Sequence, residues 1–144
     1  MKLFNLFFLL CLFSCGGSSS SKEVDDYDKL PQDSEFKPGK EVYDRSCVAC
    51  HMKDGQGLEG TFPPLFQSDY LLKDPNRALK QVIYGSDEKM TVNGVVYEQV
   101  MPAQNVTDQE AIDVVNYILN AWGNDGGKVN ESDLKEVKKN NESI

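Results

Sequence analysis

Roughly fifty residues without a sustained apolar period separate the two strongest helices of this chain, and a compact domain rarely tolerates such a span unless something other than its own side chains organises it. The first helix is expected from Gly39 to about Cys50, opened by Pro38-Gly39, with Val42, Tyr43, Cys47 and Cys50 recurring at helical spacing. The last opens on Thr107-Asp108-Gln109-Glu110, the pattern in which a threonine and a glutamate cap each other's backbone N–H groups. Its apolar face is Ala111, Ile112, Val114, Val115, Ile118, Leu119 and Trp122, and Gly123 is expected to stop it. Between the two, Gly55, Gly57, Gly60, Pro63 and Pro64 punctuate an irregular loop. A short helix is expected over 75–84, capped by Asp74, with Ala78, Leu79, Val82 and Ile83 on its apolar face. Asn93-Gly94 between β-branched residues predicts a two-residue hairpin turn, because that pair accepts the positive φ angles such a turn needs. The span therefore has caps and turns but no core of its own.

A group that would supply that core is suggested by Cys47-Val48-Ala49-Cys50-His51. Two thiols on one helical face can each add to a vinyl group on the same porphyrin edge, and the imidazole that follows then swings under the iron. Other uses of two cysteines fit less well. A dithiol redox pair needs no histidine there and would follow a strand in a βαβ unit. A structural zinc needs four ligands, whereas the chain has one His and four Cys, of which Cys11 and Cys15 lie far off near the N-terminus. A plain disulfide would leave the glycine-rich middle unexplained.

With one His in the chain, a second imidazole on the iron is excluded. Of the four Met residues, Met1 belongs to the leader and Met52 adjoins His51 on the same haem face. Met101-Pro102 follows the hairpin and precedes the capped helix, so it is the expected sixth ligand, with Pro102 fixing the backbone beyond the sulfur. Met90 remains the alternative. A Met/His pair raises the reduction potential relative to bis-His and fills both axial positions.

From Gly39 to Asn124 the sequence resembles the class I cytochromes c. Gly39 and Tyr43 match the glycine and aromatic of that family's N-terminal helix, and Val114 and Tyr117 match positions of its C-terminal helix. The resemblance implies an all-α fold in which those helices cross over a haem-filled core, with one small hairpin before the Met ligand. It implies one covalent haem c bound by Cys47, Cys50, His51, Met101 and Pro63, with His51 and Met101 as the axial metal ligands. Pro63 matches the proline whose carbonyl accepts a hydrogen bond from the ligating imidazole. Gly55-Gln56-Gly57, Phe62-Pro63-Pro64-Leu65, Val100-Met101-Pro102 and Trp122-Gly123-Asn124 look like the cytochrome module of bacterial respiratory enzymes, which occurs fused to copper nitrite reductases and beside dehydrogenases and haem–copper oxidases. One His leaves no copper site here, so the chain carries at most the electron-transfer half of such an enzyme.

The N-terminus reads as an export signal. Residues 1–14 carry Lys2 and then an apolar run too short for a permanent span. Ser14-Cys15, with Leu12 three before the cysteine, resembles the bacterial lipoprotein box, which implies a lipid on Cys15. Residues 15–37 are expected to be a flexible tether, 38–125 the cytochrome domain, and 126–144 a polar C-terminal tail, for 144 residues have room for one domain with tails. The formal charge of −8 argues against nucleic acid, whose phosphates need a basic face.

The expected function is electron transfer on the periplasmic side of a bacterial membrane, with a dehydrogenase, reductase or terminal oxidase as partner. Two other readings stand beside it. One is a fixed haem subunit of a larger oxidoreductase; the other is a sensor or peroxidase working at an open iron.

Overall fold

The computed structural model describes residues 35–142; the expected signal peptide over 1–14, Cys15 and nearly all of the 15–37 tether lie outside the described residues. Helix α1 (Lys37–Ser46) starts with a proline in its first turn, whose fixed φ suits a helix and whose missing N–H would have had no partner there. It buries Gly39, Val42 and Tyr43. The helix expected to run unbroken to Cys50 is in two pieces. Cys47 (φ −118°, ψ −32°) ends α1 and caps α2 (Val48–His51), its carbonyl accepting from the backbone N–H of Cys50 at 3.1 Å and of His51 at 3.0 Å.

Helix α5 (Asp108–Asn120) opens on the expected capping box, with both reciprocal hydrogen bonds present. It crosses α1 at Gly39, where a Cβ would sit 2.0 Å from the Asp113 carbonyl oxygen and 2.7 Å from the Tyr117 Cβ. Only a glycine lets the two backbones meet this closely. Beside the crossing, Tyr43 and Tyr117 are buried with ring centroids 5.3 Å apart, and Trp122 packs edge-on against both. The helix does not run to Gly123 as expected. It ends at Asn120 and tightens into a 3₁₀ turn, Ala121–Gly123, in which Trp122 takes φ 56°. A bulky residue in the left-handed region is strained. The indole holds it there by donating from Nε1 to the Lys53 carbonyl at 3.1 Å.

The middle span is folded by short elements. Ser68 caps a helix that sequence periodicity does not reveal, α3 (Asp69–Lys73). Asp74 caps α4 (Pro75–Tyr84), as expected. Strands β1 (Met90–Val92) and β2 (Val95–Tyr97) pair antiparallel with Met90 opposite Tyr97, and Asn93 (φ 49°) and Gly94 (φ 82°) make the expected turn. The hairpin is fastened to α3 by reciprocal bonds: the Asp69 N–H donates to the Asn93 side chain at 3.0 Å and the Asn93 N–H to the Asp69 carboxylate at 2.7 Å. The architecture is thus helical with one small hairpin, as expected.

The expectation of a polar tail over 126–144 is corrected. Residues 131–141 form helix α6 (Glu131–Asn141), which opens on a capping box of Asn130 and Asp133 and packs Leu134 and Val137 against α4 and α5. Asn116 of α5 holds the approach to it, accepting from the Val129 N–H at 2.7 Å and donating to the Val129 carbonyl at 3.0 Å. The helix escapes a reading of the sequence because it has two apolar anchors among balanced charges. Its stability comes from docking rather than from an amphipathic stripe. No helix among the described residues is long and apolar enough to cross a membrane.

Candidate functional site

One cavity of about 190 Å³ is walled by residues of every helix except α6 and by the hairpin. Cys47, Cys50, His51, Pro63 and Met101, which the sequence scatters over its central half, all line it, and so does Met90. Leu71, Ala78, Val82, Val92, Val114 and Ile118 supply apolar wall. The span that lacked a core is therefore wrapped around this cavity.

His51 is placed by three fastenings. Its ring packs at 9% exposure, and Nδ1 lies 3.0 Å from the Pro63 carbonyl oxygen. A carbonyl only accepts, so Nδ1 carries the proton and the Nε2 lone pair is left for a ligand. Burial holds the imidazolium below its usual pKa, opposed by the Pro63 hydrogen bond, so the ring is neutral at neutral pH. The loop that follows is tied down by the Tyr43 hydroxyl, which donates to the Met52 carbonyl at 2.6 Å, and by Trp122 on the next carbonyl. Burial, then the neighbouring Cys47 and Tyr117, keep that hydroxyl protonated, far above a free tyrosine's pKa.

Cys47 and Cys50 are free thiols. Burial pushes Cys47 up to about 11, with Arg45 opposing and Cys50 adding. Dithiol redox centres work through a thiolate stabilised near or below neutral pH, so this environment is wrong for disulfide exchange. It suits a sulfur that ends as a buried thioether, which has no proton to lose.

Opposite elements hold the two methionines. Met101 is bridged to Ser86 by two backbone hydrogen bonds of 2.8 Å, one in each direction. Gly85, at φ 78°, lets this happen, because a Cβ there would lie 2.5 Å from the Met101 carbonyl oxygen. Met90 sits at the start of β1, paired with Tyr97. Sequence reasoning missed the polar part of the wall, made by Tyr70, Asp74, Arg77, Gln81, Gln99 and Gln104. One signal was available: Arg77 lies in the first turn of α4, where a cation opposes the helix dipole.

A largely apolar cavity with two free thiols, a neutral imidazole and thioether sulfur on its wall fits a c-type haem. Comparison with known proteins agrees. The family model for cytochrome c matches residues 36–122. Cytochrome c-552 of Thermus thermophilus is 35% identical over 105 residues, covering 69% of this chain and 72% of that protein. The cytochrome c subunit of a quinone-type alcohol dehydrogenase from Gluconobacter oxydans is 34% identical over 103 residues, and the matched stretch is 22% of its length. The cytochrome subunit of fructose dehydrogenase from Gluconobacter japonicus is 29% identical over 109 residues, again 22% of its length. Helix α6 lies beyond the stretch the family model matches. The chain belongs to the cytochrome c family, and is an electron carrier built around a covalently bound c-type haem.

Proposed function

We propose that this chain carries single electrons between exported respiratory partners, with its haem joined to Cys47 and Cys50 and held axially by His51 and Met101. The observation that supports this most is the convergence of both thiols, the Pro63-oriented imidazole and the Ser86-clamped Met101 on one cavity wall. When bound, the haem iron gains and gives up one electron. The protein residues do the rest. Pro63 keeps the His51 proton on Nδ1, the apolar wall excludes water, and the Ser86 bridge keeps the Met101 backbone from moving away. Acid–acetone treatment should leave the pigment on the polypeptide, because thioethers survive it; a colourless protein and a coloured extract would refute the attachment.

The donor proposed is a dehydrogenase, because similar proteins are named as cytochrome subunits of alcohol, fructose and gluconate dehydrogenases. The same names favour a second reading, in which the chain stays docked on such an enzyme and passes electrons within it; a reductase or terminal oxidase would then accept them. The place of action is proposed as the periplasmic side of a bacterial membrane. There residues 1–14 are removed as a signal peptide and Cys15 carries the lipid. Cys15→Ser should move the protein from the membrane fraction to the soluble periplasm, and an unchanged distribution would mean a different anchor or none.

A further inference from the structure

We propose that helix α6 holds Met101 in place from behind α4, so that undocking α6 loosens the sixth ligand of the iron. This rests on the axial role given to Met101 above, and it makes Leu134, Val137 and Lys138 positioning residues. Met101 owes its place to the C-terminal end of α4. It shares two backbone hydrogen bonds with Ser86, and three residues further on the Gln104 N–H donates to the Val82 carbonyl at 2.9 Å. Helix α4 has two buried faces. Ala78, Gln81 and Val82 line the cavity, whereas Leu79 lines no part of it and is fully buried in the cluster that contains Leu134 and Val137. Helix α6, which lies beyond the stretch shared with the family, rests mainly on α4 and touches α5.

A second fastening reaches the other root of the same segment. Residues 85–107, which carry the hairpin and Met101, leave the end of α4 and return at the start of α5. The Lys138 ammonium donates to both carboxylate oxygens of Asp108, the first residue of α5, at 2.6 and 2.7 Å. Tyr84, the last residue of α4, lies near enough to act on the same charge. One helix therefore spans both ends of the segment that bears the methionine. It is itself lightly held. Eleven residues with two buried apolar side chains are marginal as a helix without their docking surface, and an exposed ion pair adds little. Elements of this kind open locally at far less cost than the whole domain. When α6 lifts, the end of α4 loses its backing, and the soft thioether on a hard ferric iron is the bond that yields.

The test uses the ferric, haem-loaded full chain, with imidazole as competitor for the sixth position and loss of the far-red charge-transfer band as the readout. Deleting residues 130–144 should leave the haem attached and strengthen imidazole binding on the order of tenfold. Val137→Asp, which plants a charge against α4 without shortening the chain, should act in the same direction. Coupling is reciprocal, so imidazole must also act on α6. Saturating the wild-type protein with it should speed amide hydrogen exchange over 131–141 while the amides of α1 stay protected. A helix that served stability alone would lower the melting temperature of the variants and move neither imidazole reading. Unchanged exchange in wild-type α6, or acceleration shared equally by α1, overturns this proposal alone, whether or not the variants fold. A ferric wild type without the far-red band would instead remove Met101 as ligand, and this proposal with it.

Discussion

Met101→Ala should abolish the weak far-red charge-transfer band of the ferric protein and lower its reduction potential. The fall should exceed the ~59 mV that corresponds to a tenfold change in a one-electron equilibrium. The chain's one imidazole is oriented by Pro63, so a good neutral ligand on the other side has to be sulfur. Two thioether sulfurs are on the wall, those of Met90 and Met101. Met101 is the one whose backbone is bonded in both directions to Ser86 and followed by a proline. Met90→Ala should therefore leave the band in place. The same pair of variants separates carrier from catalyst. The wild-type ferrous protein should bind carbon monoxide poorly and Met101→Ala readily. Ready binding by the wild type at neutral pH would mean a labile sixth site, and the sensor or peroxidase reading would replace the shuttle.

Cys47→Ala/Cys50→Ala, produced without attached haem, should lose most of its helical circular dichroism and its cooperative melt. The wall residues belong to nearly every element, so an unfilled interior removes packing from all of them at once. At about 24 cal/mol per Å³, a void the size of this cavity costs on the order of 4–5 kcal/mol. Domains of this kind have only about 5–15 kcal/mol in total. The helix pair at Gly39 is too small to hold the fold alone. A variant that kept native helix content without haem would show that α1, α5 and α6 form a self-sufficient core.

Much of this was legible before any coordinates, for identifiable reasons. The capping box at Thr107, the cap at Asp74 and the turn at Asn93-Gly94 are local signals whose chemistry is complete within a few residues, and each appears where expected. Gly39 and Tyr43 were marked by resemblance, and their contact with α5 explains why those residue types are needed. What escaped depends on distant partners. Helix α3 is barely one turn and owes its place to the Asn93 clamp from the hairpin. Trp122 leaves the helical region because of a carbonyl on the far side of the attachment motif. Helix α6 forms on a surface supplied by α4 and α5, so its own residues carry little of the signal.

The crossing of α1 and α5 also sets an order of events. Arg45 and Glu110, paired across it at 2.5 Å, are 65 positions apart in the chain. Closing a loop of that size carries an entropic cost that must be met before the contact gives anything back. The buried face of α1 has its principal partners on α5, so it cannot mature until the chain beyond residue 107 is present. During that interval the pentapeptide from Cys47 to His51 belongs to an open chain and its thiols are accessible, whereas in the closed fold burial holds Cys47 as an unreactive thiol. Attachment chemistry therefore belongs to the open chain, and the docking of α5 on α1 follows once the interior is filled.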